Sequence, residues 1–354
     1  MSSTVDKPSL NDMGHLATLT KATSDSVAAA FHDQIVGKTV LITGVSPTGL
    51  GAEAARVVAK HAPKLLILAS RSPANIADVI TQIKAADGFD ATATTIEALA
   101  VDLASQESIR AAVKSLNERH PDLTLDVLIN NAGIMMLPQY ESIPDAAGQP
   151  IEKHFGTNHI GHFLLTNLLV PALLRSSKAS PNAPAARVVT ITSRGYLGSP
   201  VKALDDPAVL RDTPATRAAY DSFQAYAQSK TGNLLMTAAI AKKFAGKGIA
   251  AYAVDPGAVG STNLTRSVPM EVQLKLEWRL PDGSLNPAAP FIPAEQSVAS
   301  YMVAAFDPAL ADKSGATIVA AAVDDSILDY AKDPTLAEKL WTLSEELVGE
   351  KFDW

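Results

Sequence analysis

Tyr226 and Lys230, in the run Tyr226-Ala227-Gln228-Ser229-Lys230, are the two residues whose types and spacing point most directly to chemistry. Four residues apart on a helix, they share one face. A phenol has an ordinary pKa of about 10 and exchanges protons poorly near neutrality. An ammonium beside it favours the phenolate, and the pair can then pass a proton to or from a carbonyl or alcohol. Taken alone the pattern carries little weight, because any helix surface sets many residues four apart. Its weight depends on the elements that position it.

A glycine-rich turn stands in the context that a nucleotide phosphate needs. Val40-Leu41-Ile42 reads as a strand, Thr43-Gly44-Val45-Ser46-Pro47-Thr48-Gly49-Leu50-Gly51 follows, and residues 52–60 read as a helix. Strand, glycine turn and helix bring the backbone close to a pyrophosphate and aim free N–H groups at it. The plainer alternative is an ordinary turn. A second strand, Leu65-Leu66-Ile67-Leu68-Ala69, ends at Ser70-Arg71. An acidic residue at this place in a dinucleotide fold would accept hydrogen bonds from a ribose 2′-hydroxyl and select NAD. The guanidinium of Arg71 suits a 2′-phosphate instead. The cofactor expected is therefore NADP(H), unless Arg71 is a solvated loop residue.

With these segments in place, the chain resembles the short-chain dehydrogenase/reductases, in particular the retinol-dehydrogenase-like and fungal reductase branch. The segments that carry the resemblance are Thr43 to Gly51, Val101-Asp102-Leu103, Asn130-Asn131-Ala132-Gly133, Asn158-His159-Ile160-Gly161-His162-Phe163, Ser193, Tyr226 to Lys230, and Asp255-Pro256-Gly257. They follow the family's order over roughly residues 36–265 and are highly specific together.

The resemblance implies a role for each. Gly44, Ser46, Gly49, Leu50 and Gly51 form the phosphate turn, and Asp102 accepts a hydrogen bond from the adenine beside Leu103. Asn131, Ala132 and Gly133 pass the adenosine ribose and stabilise the sheet centre. Ser193 hydrogen-bonds the substrate oxygen, Tyr226 donates the proton, and Lys230 holds the nicotinamide ribose and lowers the tyrosine pKa. Asn158 completes a proton relay through water. Pro256, Gly257 and Val259 pass along the nicotinamide, with Ser261 near its carboxamide or the phosphates. The chemistry agrees: hydride arriving at a carbonyl carbon builds negative charge on oxygen, which two hydroxyl donors can stabilise. Asn158 can equally be a satisfied buried amide, and Ser193 a plain strand-end hydroxyl.

The chain departs from the family pattern in three places. Four residues rather than three separate Gly44 from Gly49, with Pro47 among them, so contacts from Ser46 to Thr48 stay open. A serine, Ser261, stands where the family often has threonine. The interval from Ser193 to Tyr226 is long, and residues 198–223 read as an extra loop near the active-site mouth, where substrate choice resides. Residues 262–293 hold five prolines with Met270, Val272, Leu274 and Trp278 among them. They read as an apolar cover over a bulky, lipophilic carbonyl, or else as a surface excursion.

Other chemistries fit poorly. His154, His159 and His162 lack an obvious third carboxylate or cysteine ligand, so no metal site is expected. Ser193 lacks the G-x-S-x-G elbow of a hydrolase. A net charge of −7 argues against a nucleic-acid surface. The chain has no cysteine, hence neither disulfide nor thiolate chemistry. It shows no apolar run long enough to span a membrane and no signal-peptide core in residues 1–20, so a cytoplasmic location is expected. The resemblance allows a homodimer or homotetramer.

The 354 residues, 47% of them hydrophobic, are read as an N-terminal extension (1–34) and one α/β domain (35–354), a doubly wound parallel sheet with helices on both faces. Strands are expected near 39–43, 65–69, 96–101, 126–130, 187–192, 249–254 and 316–322. Helices are expected near 50–61, 73–86, 105–119, 151–176, 221–245, 294–306 and 335–349. A short helix from Ser24 to Gln34, capped by Ser24 or Asp25, is placed beside the first strand, after a loose tail over residues 1–22. The function expected is NADP(H)-dependent reduction of a ketone or aldehyde, or the reverse oxidation. The alternatives are a dehydratase or epimerase on the same fold, or a non-catalytic NADP-binding sensor.

Overall fold

Alternation along the strands builds two separate cores. In β1 (Thr39–Thr43), Val40 and Ile42 join one core and Leu41 the other, all fully buried. β2 (Leu65–Ser70) divides the same way, with Leu66 and Leu68 opposed to Leu65 and Ile67. Side chains two apart share a sheet face, so a sheet buried on both faces separates its apolar residues into two layers. Each fully buried Leu or Ile stabilises the fold by about 1.5–3 kcal/mol.

The structure is a computed structural model that describes residues 22–178 and 186–354. Apart from Ala22, the expected loose tail lies outside the described residues. The remaining strands are β3 (Thr95–Ala100), β4 (Val127–Asn130), β5 (Ser142–Pro144), β6 (Pro150–Glu152), β7 (Ala186–Ile191), β8 (Ile249–Asp255), β9 (Thr317–Val319) and β10 (Ala322–Val323). The main sheet runs β3-β2-β1-β4-β7-β8-β9-β10, and β10 alone is antiparallel to its neighbour. Helices Gln106–Arg119, Gly161–Ser177, Ser222–Lys243 and Pro334–Val348 cover one face. Helices Leu50–Ala59, Pro73–Ala85 and Ala294–Phe306 cover the other. This is the doubly wound fold expected. Strand order turns back between β1 and β4, and the crevice beyond the carboxyl ends of such strands is where a ligand fits. Among the described residues no helix is long and apolar enough to cross a membrane.

Three elements differ from the sequence reading. The helix expected at 151–176 begins later, because β6 pairs antiparallel with β5 across a turn held by Asp145. Glu152 then caps the following turn, accepting from His154 N (2.9 Å) and Phe155 N (2.8 Å). Residues Phe155–Ile160 form a wider π turn before Gly161–Ser177. The strand expected at 316–322 is a hairpin: Ala320 and Ala321 have φ of +48° and +60°, a left-handed pair that alanine does not announce. Ser300 Oγ accepts from Ala321 N (2.9 Å) and holds it there. The N-terminal helix is Ser24–Ala30, capped by Thr23 rather than Ser24 or Asp25, and a separate turn follows at His32–Ile35. It packs mainly on helix Ala294–Phe306, and also on helix Leu50–Ala59. Ser24 donates to Glu53 (2.7 Å), and Asp25 pairs with Arg56 and Lys60.

Candidate active site

Asp221 starts the helix that carries Tyr226 and Lys230, accepting from Phe223 N (2.9 Å) and Gln224 N (3.0 Å). Both side chains are buried, and the Lys230 ammonium lies 5.7 Å from the centre of the Tyr226 ring. It donates to the Ile191 carbonyl at 2.9 Å, as does Asn233 Nδ2 at 3.0 Å. Thr192 Oγ1 donates back to the Lys230 carbonyl (2.9 Å). The end of β7 is thus tied to the helix, and Ser193, just beyond it, acts on the Tyr226 phenol. Ser193 Oγ also accepts from Gly195 N (3.0 Å).

Burial pushes the Tyr226 phenol up; Ser193 opposes this and Asp255 adds to it. Burial pulls Lys230 down to about 8, against the attraction of Asp255. The expected lowering of the tyrosine by the lysine is therefore not what this structure holds. The ammonium stands over the ring and engages the Ile191 carbonyl, while the phenol is cut off from water. Desolvation disfavours the charged form of both groups.

Two cavities meet at this pair. One, of about 370 Å³, is lined by Gly44, Ser46, Gly49 and Leu50, by Arg71, Asp102 and Leu103, and by Asn131, Ala132 and Gly133. The other, of about 670 Å³, is lined by Ser193, Gly257 and Val259 together with Met135, Met136 and the segment expected to cover the substrate. Tyr226, Pro256 and Leu264 belong to both, and Lys230 lines the first. Leu264, Val272, Leu276, Trp278, Phe291 and Ile292 line the larger cavity, whereas Met270 and Leu274, also expected in the cover, are exposed and do not. Of the interval before Tyr226, Arg194 and Gly195 line it next to Ser193, and within residues 198–223 the lining residues are Asp221 and Phe223. The rest of that loop is stapled to the β5–β6 hairpin by Arg211 to Asp145 (2.6 Å) and Tyr140 to the Leu210 carbonyl (3.0 Å).

The glycine turn is built for close approach. A β-carbon on Gly44 would lie 2.6 Å from Ala132 Cα, and φ there is +73°. Gly51 lines neither cavity; it lets the helix pack against Asn131 and the Gly44 carbonyl. In the longer loop Ser46 lines the cavity, whereas Pro47 and Thr48 do not. Asn131 pins the turn to β4 by donating to the Thr43 carbonyl (2.7 Å) and accepting from Tyr301 (3.0 Å). A backbone cradle at a helix start, carboxylate Asp102 and guanidinium Arg71 around one cavity form a donor set that fits a dinucleotide.

Two more predicted residues, besides Gly51, stand apart from the cavities. Ser261 is exposed and lines neither cavity, and its neighbour Thr262 lines the smaller one. Asn158 is fully buried and braces the loop after β4: Oδ1 accepts from Ile134 N (2.9 Å), and Nδ2 donates to the Ile134 carbonyl (2.9 Å) and Ser229 Oγ (3.0 Å). The three histidines serve packing. His159 and His162 are pushed down by burial to about 3 and about 4, and His162 bridges the Asn158 carbonyl and Thr43 Oγ1. His154 sits on Glu152 at 2.7 Å.

Sequence reasoning missed Thr43, Asp255 and Arg266. Thr43 Oγ1 accepts from Asn131 N (2.9 Å) and Ala132 N (3.0 Å). Asp255 accepts from Gly257 N (3.0 Å) and faces Arg194 at 3.6 Å; its place before Pro256-Gly257 was the available signal. Arg266 lines the smaller cavity and had no local signal at all.

Comparison with known proteins agrees with this geometry. A family model described as short chain dehydrogenase matches residues 38–200. Retinol dehydrogenase 12 of Mus musculus is 35% identical over 90% of this chain and 89% of its own length. A short-chain dehydrogenase/reductase of Armillaria gallica is 29% identical over 87% and 89%. Among solved structures, the Pseudomonas aeruginosa RhlG/NADP active-site complex superposes with a TM-score of 0.56 at 23% identity, covering 81% of this chain and 96% of that one. The NADH-dependent reductase A1-R′ complexed with NAD gives 0.55 at 21%, covering 84% and 99%. The chain belongs to the short-chain dehydrogenase/reductase family, in its retinol-dehydrogenase-like branch. Its members are oxidoreductases that use NAD or NADP.

Proposed function

We propose that this protein is an NADP(H)-dependent reductase of a bulky, apolar ketone or aldehyde, also able to oxidise the corresponding alcohol, with Tyr226 as the proton donor. The observation that carries this is the place of Tyr226: beside Ser193 in the wall of a larger apolar cavity, at its junction with a polar one.

The coenzyme, held by Gly44, Ser46, Gly49, Leu50, Asp102, Asn131 and Lys230, with Arg71 on its 2′-phosphate, would supply or accept the hydride. The protein's own residues do the rest. Ser193 and Tyr226 both line the larger cavity, so a carbonyl oxygen bound between them would meet two hydroxyl donors as charge builds on it. Tyr226 gives its proton to that oxygen. A phenol held up by burial keeps that proton at neutral pH, which favours the reductive direction. Lys230 stands behind the ring as the nearby cation that stabilises the phenolate left by proton transfer. Asn158 keeps Ile134 and Ser229 in place below the pair, with the water-borne relay passing its turn. The apolar cover excludes water from the reacting atoms.

The test is Tyr226→Phe, read by optical NADPH consumption with bulky aromatic and aliphatic carbonyls and by coenzyme binding. The reading expects a loss of turnover of at least about 10²-fold with NADPH still bound. Turnover that survives removes Tyr226 as proton donor. Tight NADPH binding without consumption of any carbonyl removes the reductase.

A further inference from the structure

We propose that Arg266 is the second arm of a phosphate clamp with Arg71, and that the coenzyme's 2′-phosphate thereby latches the cover of the substrate cavity. This rests on the NADP(H) reading above and adds a residue and a consequence to it.

Arg266 lies in the short turn Asn263–Ser267, at the start of the covering segment. Successive residues of that turn serve different cavities. Leu264 lines both, Thr265 the apolar one, and Arg266 the nucleotide one, where Arg71 also lies. Arg71 comes from the end of β2, far away in sequence. Arg266 donates to the Asn263 carbonyl at 2.8 Å, and no carboxylate acts on it. Partial burial of Arg266 lowers its pKa, and the charged group that adds to this is Arg71, by repulsion. Arg71 makes no ion pair among the described residues.

Both guanidiniums are solvent-exposed at one cavity and neither pairs with a carboxylate among the described residues, so both are available to a shared anion. A phosphate monoester carries a charge of about −1.5 to −2 near neutrality and can accept paired hydrogen bonds from each guanidinium. The diphosphate of the coenzyme belongs at the glycine turn before helix Leu50–Ala59. Arg71 instead lies beside Ser72 and Asn75, where the next helix, Pro73–Ala85, begins. The group to be clamped is therefore the 2′-phosphate. Because Arg266 is continuous with Leu264 and Thr265, gripping that phosphate also draws down the apolar cover. NADH lacks the group and would leave the cover untied.

The experiment measures dissociation constants of NADPH, NADH, 2′,5′-ADP and ADP by calorimetry for wild type, Arg266→Gln and Arg71→Gln. Limited proteolysis within 262–293 is followed in parallel. The clamp expects R266Q to weaken NADPH and 2′,5′-ADP about 10- to 100-fold and NADH and ADP less than about threefold. NADPH, but not NADH, should slow cleavage of the cover in wild type, and this protection should be lost in R266Q. An R266Q protein that keeps the wild-type preference for NADPH overturns the clamp while the NADP(H) reading stands. Equal weakening of all four ligands also overturns it, making Arg266 a diphosphate or structural residue. Protection that persists in R266Q overturns the latch. A wild type that binds NADH as tightly as NADPH overturns the coenzyme reading itself.

Discussion

A β-carbon on Gly195 would lie 2.9 Å from Cε1 of Tyr226 and 3.3 Å from Oγ of Ser193. Residue 195 is therefore the backbone wall that sets the angle of the tyrosine ring, although its own atoms carry no chemistry. Gly195→Ala must push the ring or the turn aside by several tenths of an ångström. Such a displacement at a reacting pair lowers kcat about 10²-fold, and coenzyme affinity should change less than about twofold. Stopped-flow turnover and coenzyme titration check this; an alanine variant with wild-type kcat would mean that the ring angle does not matter.

Lys230 links the site to pH. Its folded pKa of about 8 lies below the ordinary 10.5. Between those values the unfolded chain holds a proton that the folded chain has released, so stability rises with pH across that window. At pH 7 the buried cation weighs on the fold. Lys230→Met should therefore unfold a few degrees higher than wild type at pH 7, and lack the wild type's gain between pH 8 and 10. Asn233 still satisfies the Ile191 carbonyl in the variant. Thermal unfolding at several pH values decides, and a less stable variant at pH 7 contradicts the burial argument. Reductive kcat/KM in wild type should also fall as pH passes about 8.

His159 and His162 act in the opposite pH range. Their folded values of about 3 and about 4 lie below the ordinary 6.5. The unfolded chain takes up protons first on acidification, and stability falls as pH drops from 6.5 towards 4. In His159→Gln this fall should be shallower, even though lost packing against Phe155 and Phe163 lowers stability at pH 7. Denaturant midpoints at pH 7, 5.5 and 4.5 give the slopes; equal slopes would mean that His159 is not the titrating group.

Trp278 lies tilted against Phe291, with ring centres 6.3 Å apart, in the wall of the larger cavity. Trp278→Ala removes apolar contact worth about 1–3 kcal/mol to a bulky ligand. KM for large apolar carbonyls should rise about 10-fold, with little change for small ones and none in NADPH affinity. A uniform KM rise across substrate sizes would indicate damage to the cover rather than lost contact.

The local signals were legible in the chain itself. The apolar runs at Val40–Ile42 and Leu65–Ala69, the glycine turn and the Tyr226–Lys230 spacing all describe residues within a few positions of one another, and periodicity and turn chemistry report that range. They were enough to define the doubly wound sheet and to name Tyr226 and Arg71, while Ser193 and Asp102 were named through the resemblance to the short-chain dehydrogenase/reductases; the fold brings all four around adjoining cavities. What only the tertiary structure decided depends on neighbours distant in sequence. The alanine hairpin at Ala320-Ala321 is held from Ser300, the β5–β6 pair displaces an expected helix start, and Asn158 is engaged by the Ile134 backbone and Ser229. Arg266 meets Arg71 across 194 intervening residues. The direction of the Tyr226 shift belongs to the same class: a spacing of four places a cation near a phenol, but burial by the whole fold determines which form of the phenol is favoured.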